Sequence, residues 1–161
     1  MTTAIENYRF NDAADAIYSF VWHSYCDWYV ELIKPQLGDE ARETRATAAA
    51  ILRGALRLLH PFMPYLTEEL NEKIFASKDM MITQSWPDAV GLAESDAPDE
   101  IRHLINVISE IRYIRSEMNV PLSAKPALQL RGASDLQARS VETNRAALTR
   151  LARLGLSLIH I

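Results

Sequence analysis

NDAADAIYSFVWHSYCDWYVELIKP, residues 11–35, is the stretch whose reading decides the fold. Ile17, Val21, Tyr25 (or Ser24), Trp28 and Leu32 recur at the spacing of one face of an α-helix. Asn11 is a good N-cap, Asp12 and Asp15 suit the positive end of the helix dipole, and Pro35 stops the run. The pattern predicts one helix from about Asn11 to Lys34. Tyr18, Phe20, Tyr29 and Ile33 widen the stripe until the helix is apolar on most sides, as a helix inside a bundle is.

Outward from that helix, Gly38-Asp39-Glu40 reads as a turn and Ala41–His60 as a second helix rich in Ala, Leu and Arg. Ala48, Ile51, Leu52, Ala55, Leu58 and Leu59 form its expected inward face. Pro61 and Pro64 force a break before a third helix, Tyr65–Phe75, whose start Glu68-Glu69 would favour. Residues 77–95 read as a connection, with Met81-Ile82-Thr83 briefly extended. A fourth helix starts at Asp96 with Pro98 in its first turn and runs to Pro121. Ile101, Leu104, Ile105, Ile108, Ile111, Tyr113 (or Ile114) and Met118 carry its expected core face. Ala127–Arg131 alternates as a strand and Gly132 closes it; residues 135–153 are helical; Leu156–Ile161 reads as a second strand. The fold class that results is mainly α: an antiparallel helical bundle over residues 1–121 and a small strand–helix–strand α/β appendage over 122–161. Ending inside a strand, the sequence reads as a piece of something longer.

The whole chain has 161 residues, 48% of them hydrophobic and 24% charged, the composition of an ordinary globular protein. That composition excludes a disordered tail, a collagen-like repeat and a disulfide scaffold. No stretch approaches the roughly 18 consecutive apolar residues of a membrane span, and Met1–Glu6 has no leader character. A single cysteine, Cys26, has no intrachain partner, and the cytoplasm is the expected compartment. Net charge is −4, but it is unevenly spread: residues 1–100 hold 8 basic and 17 acidic side chains, residues 101–161 hold 9 basic and 4 acidic. An acidic protein with a basic region still presents a local field to phosphates.

Catalytic and metal chemistry is sparse. The five glycines make no phosphate loop. His23 and Cys26 share one helix side without a second ligand pair, so no metal is expected. His60 is expected to satisfy a local backbone group. No serine, histidine and carboxylate form a nucleophile arrangement. What remains is basic: Arg112 and Arg115 on one helix face beside Tyr113, with Lys125 beyond Pro121. Guanidinium forks hold phosphates in pairs of hydrogen bonds and an aromatic ring stacks on a base. The competing reading is an ion-pair ladder with Glu110 and Glu117.

Three segments resemble one family. Tyr8-Arg9-Phe10-Asn11-Asp12-Ala13-Ala14 with Cys26-Asp27-Trp28-Tyr29 is similar to the long helix of the valyl-tRNA synthetase anticodon-binding domain. Leu59–Leu70 resembles the bend between that domain's next two helices, and Arg112-x-x-Arg115-x-Glu117-Met118-Asn119-Val120-Pro121 its signature before a small α/β junction. Asn144-Arg145 continues the likeness toward the C-terminus. One departure is Asn71, where the family usually has tryptophan; another is Leu122 in place of a second proline.

The resemblance implies a class Ia helical bundle that binds the anticodon stem and loop of tRNA, with valine tRNA as partner and the ligase's catalytic domain as an intramolecular neighbour. It implies backbone contacts from Arg112, Arg115 and Lys125, with Arg42 and Arg45 as weaker candidates; Arg139, Arg145, Arg150 and Arg153 either join them or merely solvate a helix. ATP chemistry would belong to a catalytic domain whose motifs are absent here, so no cofactor and no autonomous catalysis are expected of this chain. Neither membrane nor DNA is an expected partner. Two alternatives stay open: the equivalent domain of an isoleucyl or leucyl enzyme, and a helical protein–protein scaffold without an RNA role.

Overall fold

The structure, a computed structural model, is mostly helical and describes residues 1–38, 41–88, 95–155 and 158–160. A short helix not foreseen from sequence, α1 (Thr2–Glu6), precedes the long one. The chain turns at Tyr8, whose φ of 58° is left-handed. Tyr8 N–H donates to the Ile5 carbonyl at 2.9 Å and Arg9 N–H to the Ala4 carbonyl at 2.8 Å, the paired bonds of a Schellman turn. The next helix, α2 (Phe10–Ser19), starts one residue before the expected cap. Its N-cap is Arg9, which pairs with Asp12 at 3.3 Å and so places an acid in the first turn.

This helix passes into a π-wound stretch, Phe20–Val30, then α3 (Glu31–Ile33) and a 3₁₀ turn, Lys34–Gln36, that holds Pro35. The wider π winding fans out side chains that a 3.6-residue period would stack. Ile17 is buried, while Val21, Tyr25, Trp28 and Leu32 are half-buried. Tyr18, Phe20 and Trp22 stay 58%, 40% and 53% exposed, with Tyr18 stacked on Trp22. The helix is therefore covered on one side and not on most sides as expected. Helix α4 (Arg42–Leu59) packs on that covered side, and Tyr25 Oη donates to the Ala48 carbonyl at 3.1 Å.

Ala55 and Leu56 are the buried residues of α4; the other five residues of the expected inward face are half-buried, and Leu56 widens that face. Pro61–Met63 then bends the chain into α5 (Pro64–Phe75), with proline at its first position. Two polar residues, Thr67 and Asn71, are buried on α5. The Thr67 hydroxyl lies 3.0 Å from the carbonyls of Met63 and Pro64 and 2.7 Å from His60 Nδ1. His60 thus satisfies a side chain rather than a backbone group. Neither Glu68 nor Glu69 serves the start of α5. Instead the Glu68 carboxylate accepts the N–H of Met81 at 2.8 and 2.9 Å and that of Ile82 at 3.3 Å, while Glu69 pairs with Lys73 at 2.6 Å. That carboxylate winds Met81–Thr83 into a 3₁₀ turn instead of the expected extended piece, because clustered N–H donors at a helical start attract an anion.

Two units divide the chain, Met1–Gly91 and Leu92–Ile161. The second contains α6 (Ala97–Glu117), with Asp96 at its N-cap position, and groups this helix with the C-terminal elements. Pro121 does not end α6. Asn119, at φ 49°, ends it in a Schellman turn, with Asn119 N–H on the Ser116 carbonyl at 3.1 Å and Val120 N–H on that of Arg115 at 2.9 Å. Leu104 and Ile108 are fully buried, Ile101, Ile105 and Ile111 half-buried. Tyr113, Ile114 and Met118 are exposed, a correction to the expected core face: they stand at the C-terminal end of the helix, past its buried residues Leu104 and Ile108.

Strand β1 (Leu128–Leu130) pairs in parallel with β2 (Leu158–His160), Leu128 opposite Leu158. Between them the single helix expected over 135–153 is two, α7 (Asp135–Thr143) and α8 (Arg145–Leu151). Ser134 caps α7 in a capping box with Gln137, and Asn144 breaks the run by turning its side-chain amide back onto the Ser140 carbonyl at 2.9 Å. Ser140 Oγ donates to the Glu100 carbonyl at 2.7 Å and ties α7 to the first turns of α6. Val141, Leu148, Ala152 and Leu154 complete this core with Leu104 and Ile108. Asp39 and Glu40 of the expected turn, residues 89–94 of the connection, and Leu156, Ser157 and Ile161 of the second strand lie outside the described residues.

Candidate nucleic-acid interface

The C-terminal end of α6, the loop after it, and α8 with the turn that follows carry six of the nine basic residues singled out from sequence. Arg112 is exposed and its Nε donates to the Leu151 carbonyl at 3.1 Å. Arg115 is half-buried and reaches three carbonyls: Pro121 at 3.0 Å and Ala124 at 3.1 Å from Nη2, and Arg153 at 3.4 Å from Nη1. These contacts, not an ion-pair ladder with Glu110 and Glu117, occupy the Arg115 guanidinium. The physical cause is local. Helix C-termini and the turn that follows expose carbonyls that no backbone N–H reaches, and they carry partial negative charge.

Two adjoining clefts result, sharing Leu122 and Arg153 on their walls. The first, of about 390 Å³, is lined by Arg112, Arg115, Ser116, Val120, Leu122, Leu151, Ala152 and Arg153. The second, of about 650 Å³, is lined by Leu122, Lys125, Arg145, Ala146, Thr149, Arg150, Arg153 and Leu154. Neither lining contains a carboxylate. Six cations thus surround a floor of leucine and alanine, where counter-charge would be held in a partly dehydrated setting.

Among the sequence candidates, Arg112, Arg115 and Lys125 come together on these clefts. Arg42 and Arg45 belong to the first unit. Arg42 is exposed at the first position of α4, and Arg45 donates from Nη2 to the carbonyls of Leu37 and Gly38 at 3.1 and 3.0 Å, pinning the turn that ends the long helix. The residues left undecided by sequence separate too: Arg145, Arg150 and Arg153 line the second cleft, while Arg139 does not. Arg145 also pairs with Glu142 at 2.8 Å. Arg145 and Arg150 lie on one short helix and Arg153 in the turn after it, an arrangement hidden until the break at Asn144 is known.

Other chemistry is thin. Among the described residues no three His, Cys, Asp or Glu side chains gather as a metal site, and no helix is long and apolar enough to cross a membrane. His23 pairs with Asp27 at 3.4 Å, and Cys26 is an exposed free thiol.

Comparison with known proteins adds the family. The profile described as the anticodon-binding domain of tRNA ligase matches residues 1–131. The chain belongs to this family. As an anticodon-binding domain it is similar to the valine–tRNA ligase of Caulobacter vibrioides, 47% identical over 163 residues, which covers 96% of this chain and 18% of that protein. The valine–tRNA ligase of Rhizobium meliloti is 44% identical over 96% of the chain and 17% of its own length. That of Thermotoga maritima is 41% identical over 82% of the chain and 16% of its own length. The chain therefore spans less than a fifth of the length of these curated relatives.

Proposed function

We propose that this chain is the tRNA-binding module of a valine–tRNA ligase, holding the anticodon stem and loop of the cognate tRNA. The observation that carries the reading is the pair of clefts at the ends of α6 and α8, walled by six cations and no carboxylate. Membership of the anticodon-binding family and the kinship with valine–tRNA ligases support tRNA as the ligand of that surface. Arg112, Lys125, Arg145, Arg150 and Arg153 contact phosphates here, and Arg42 adds a contact from α4. Arg45 and Arg115 hold the local backbone. Phosphate contacts set register and affinity, whereas unpaired bases are read by stacking and edge hydrogen bonds.

In this reading the helices belong to a domain of the class Ia anticodon-binding type, with β1, α7, α8 and β2 as its α/β junction, against which α6 packs. No cofactor binds the chain. Activation of valine with ATP belongs to other parts of such ligases, in the cytoplasm, so the chain alone neither activates nor transfers valine.

Fluorescence anisotropy with valine tRNA and a non-cognate tRNA, each at two salt concentrations, tests this. Cognate preference with binding that weakens as salt rises supports the module. Indifference to tRNA at both salts overturns it and favours a protein-docking scaffold, for which the exposed Tyr18, Phe20 and Trp22 would be the surface.

A further inference from the structure

We infer that Arg153 and Lys125 form a phosphate-binding pair for the sugar–phosphate backbone of RNA, with Arg115 as the residue that positions Arg153. This rests on the tRNA-binding reading and assigns its contact to two side chains.

Arg153 is the residue shared by the walls of both clefts that carries charge. It is exposed, and its guanidinium donates to none of the described residues. Its backbone is left-handed, φ 54°, a conformation that an arginine adopts only when its surroundings impose it. Two bonds impose it here. Leu154 N–H donates to the Thr149 carbonyl at 2.9 Å in a Schellman turn, and Arg115 Nη1 grips the Arg153 carbonyl at 3.4 Å. Glycine would fill this position without strain. An exposed arginine held there makes no contact within the described residues that accounts for its identity, so the explanation lies in what it presents to the cleft.

Lys125 is brought to the same place by a separate device. Gly155 N–H donates to the Pro126 carbonyl at 2.9 Å, and a Cβ on Gly155 would stand 3.0 Å from the Lys125 carbonyl. The absence of a side chain at 155 lets residues 125–126 lie directly against the chain two residues beyond Arg153. Lys125 is exposed and, among the described residues, makes no ion pair or side-chain hydrogen bond. A planar fork and a compact ammonium on one cleft without a carboxylate suit a phosphodiester, the fork bridging two oxygens and the ammonium neutralising the charge.

The test uses the full chain and its Arg153→Gly, Lys125→Gln and doubly substituted variants, with valine tRNA and an oligouridine as probes at two salt concentrations. Arg153→Gly retains the left-handed turn, so its melting temperature is unchanged or raised, and a loss of binding is then due to the missing guanidinium. Expected is a several-fold weaker affinity for each single variant. In the double variant the salt dependence becomes shallower by about 0.7 to 0.9, the value for one phosphate contact. Arg115→Gln weakens binding in the wild-type background and costs less beside Arg153→Gly, where only its hold on the loop before Lys125 is left to lose; an equal cost in both backgrounds removes its role in positioning Arg153. If tRNA binds wild type and double variant alike with the same salt slope, the site is overturned while the tRNA reading stands. If oligouridine binding is lost in the double variant but valine tRNA never bound, the site stands and the tRNA reading fails.

Discussion

The Arg115 guanidinium donates to the Pro121 carbonyl at 3.0 Å across the turn that ends α6. It adds the Ala124 carbonyl at 3.1 Å and the Arg153 carbonyl at 3.4 Å, so one side chain fastens a helix end, the loop after it and the end of α8. The residue that sequence spacing paired with Arg112 as a phosphate fork is thus spent mainly on backbone.

Arg115→Ala strands those carbonyls and removes charge-assisted bonds, each class of which contributes about 1.5–3 kcal/mol. Because Arg115 is only half-buried, water replaces part of what is lost, and a total of about 1.5–3 kcal/mol is expected. Arg115→Lys restores little, since one ammonium cannot span carbonyls that a planar fork reaches together. Urea unfolding measures both; a lysine variant as stable as wild type would show that charge alone suffices.

Glu68 is the cap of a segment distant from it in sequence. Glu68→Ala leaves the Met81 N–H, beside a side chain only 3% exposed, without its acceptor. The expected loss is about 1–3 kcal/mol, the range for an orphaned donor in a poorly hydrated place. Glu68→Gln, which retains an amide oxygen, should recover part of it. The comparison of unfolding midpoints decides: equal losses would mean that the carboxylate charge, not the acceptor, is what matters.

Asn71 is 2% exposed, and its Oδ1 accepts from no described residue while Nδ2 donates to the Asp79 carbonyl at 3.2 Å. A buried unmet acceptor costs about 1–3 kcal/mol, more than the roughly 0.5–1.5 kcal/mol that the one bond returns. Asn71→Leu, similar in size, is therefore expected to raise stability by about 1 kcal/mol. Calorimetry tests it, and a lower melting temperature would indicate that the Asp79 bond outweighs the orphaned oxygen.

Burial pushes the Tyr25 phenol above its ordinary value of 10.0, with Tyr29 and Cys26 adding to the shift. As pH rises the unfolded phenol ionises first, so this contribution is intact below the ordinary tyrosine pKa and fades as pH climbs toward the folded one. Tyr25→Phe loses the bond to Ala48, about 0.5–1.5 kcal/mol at neutral pH. Its stability should then decline less steeply above pH 10 than that of wild type. Denaturant titrations on either side of that pH check this; parallel declines would place the alkaline sensitivity on another group.

Periodicity and prolines by themselves located the long helices, though not α1 or the break at Asn144, because the 3.6-residue stripe and the missing N–H of Pro35, Pro61, Pro64 and Pro98 act within one or two turns. The charge contrast between the two parts of the chain, and the Arg112–Pro121 segment that marks the family, were also local. Contacts from elsewhere in the chain decided the rest. The 3₁₀ turn at Met81 needs a carboxylate from α5, and the exposure of Trp22 depends on how little of the long helix α4 covers. The Asn119 cap shows the opposite limit: its bonds are local, but a left-handed asparagine competes with Pro121 as a stop signal and only the folded backbone decides between them. Whether an arginine holds phosphate or carbonyl is a question of distance, and Arg115 and Arg153, both in the same basic stretch of sequence, are separated by tertiary geometry alone: one faces three carbonyls, the other an open cleft.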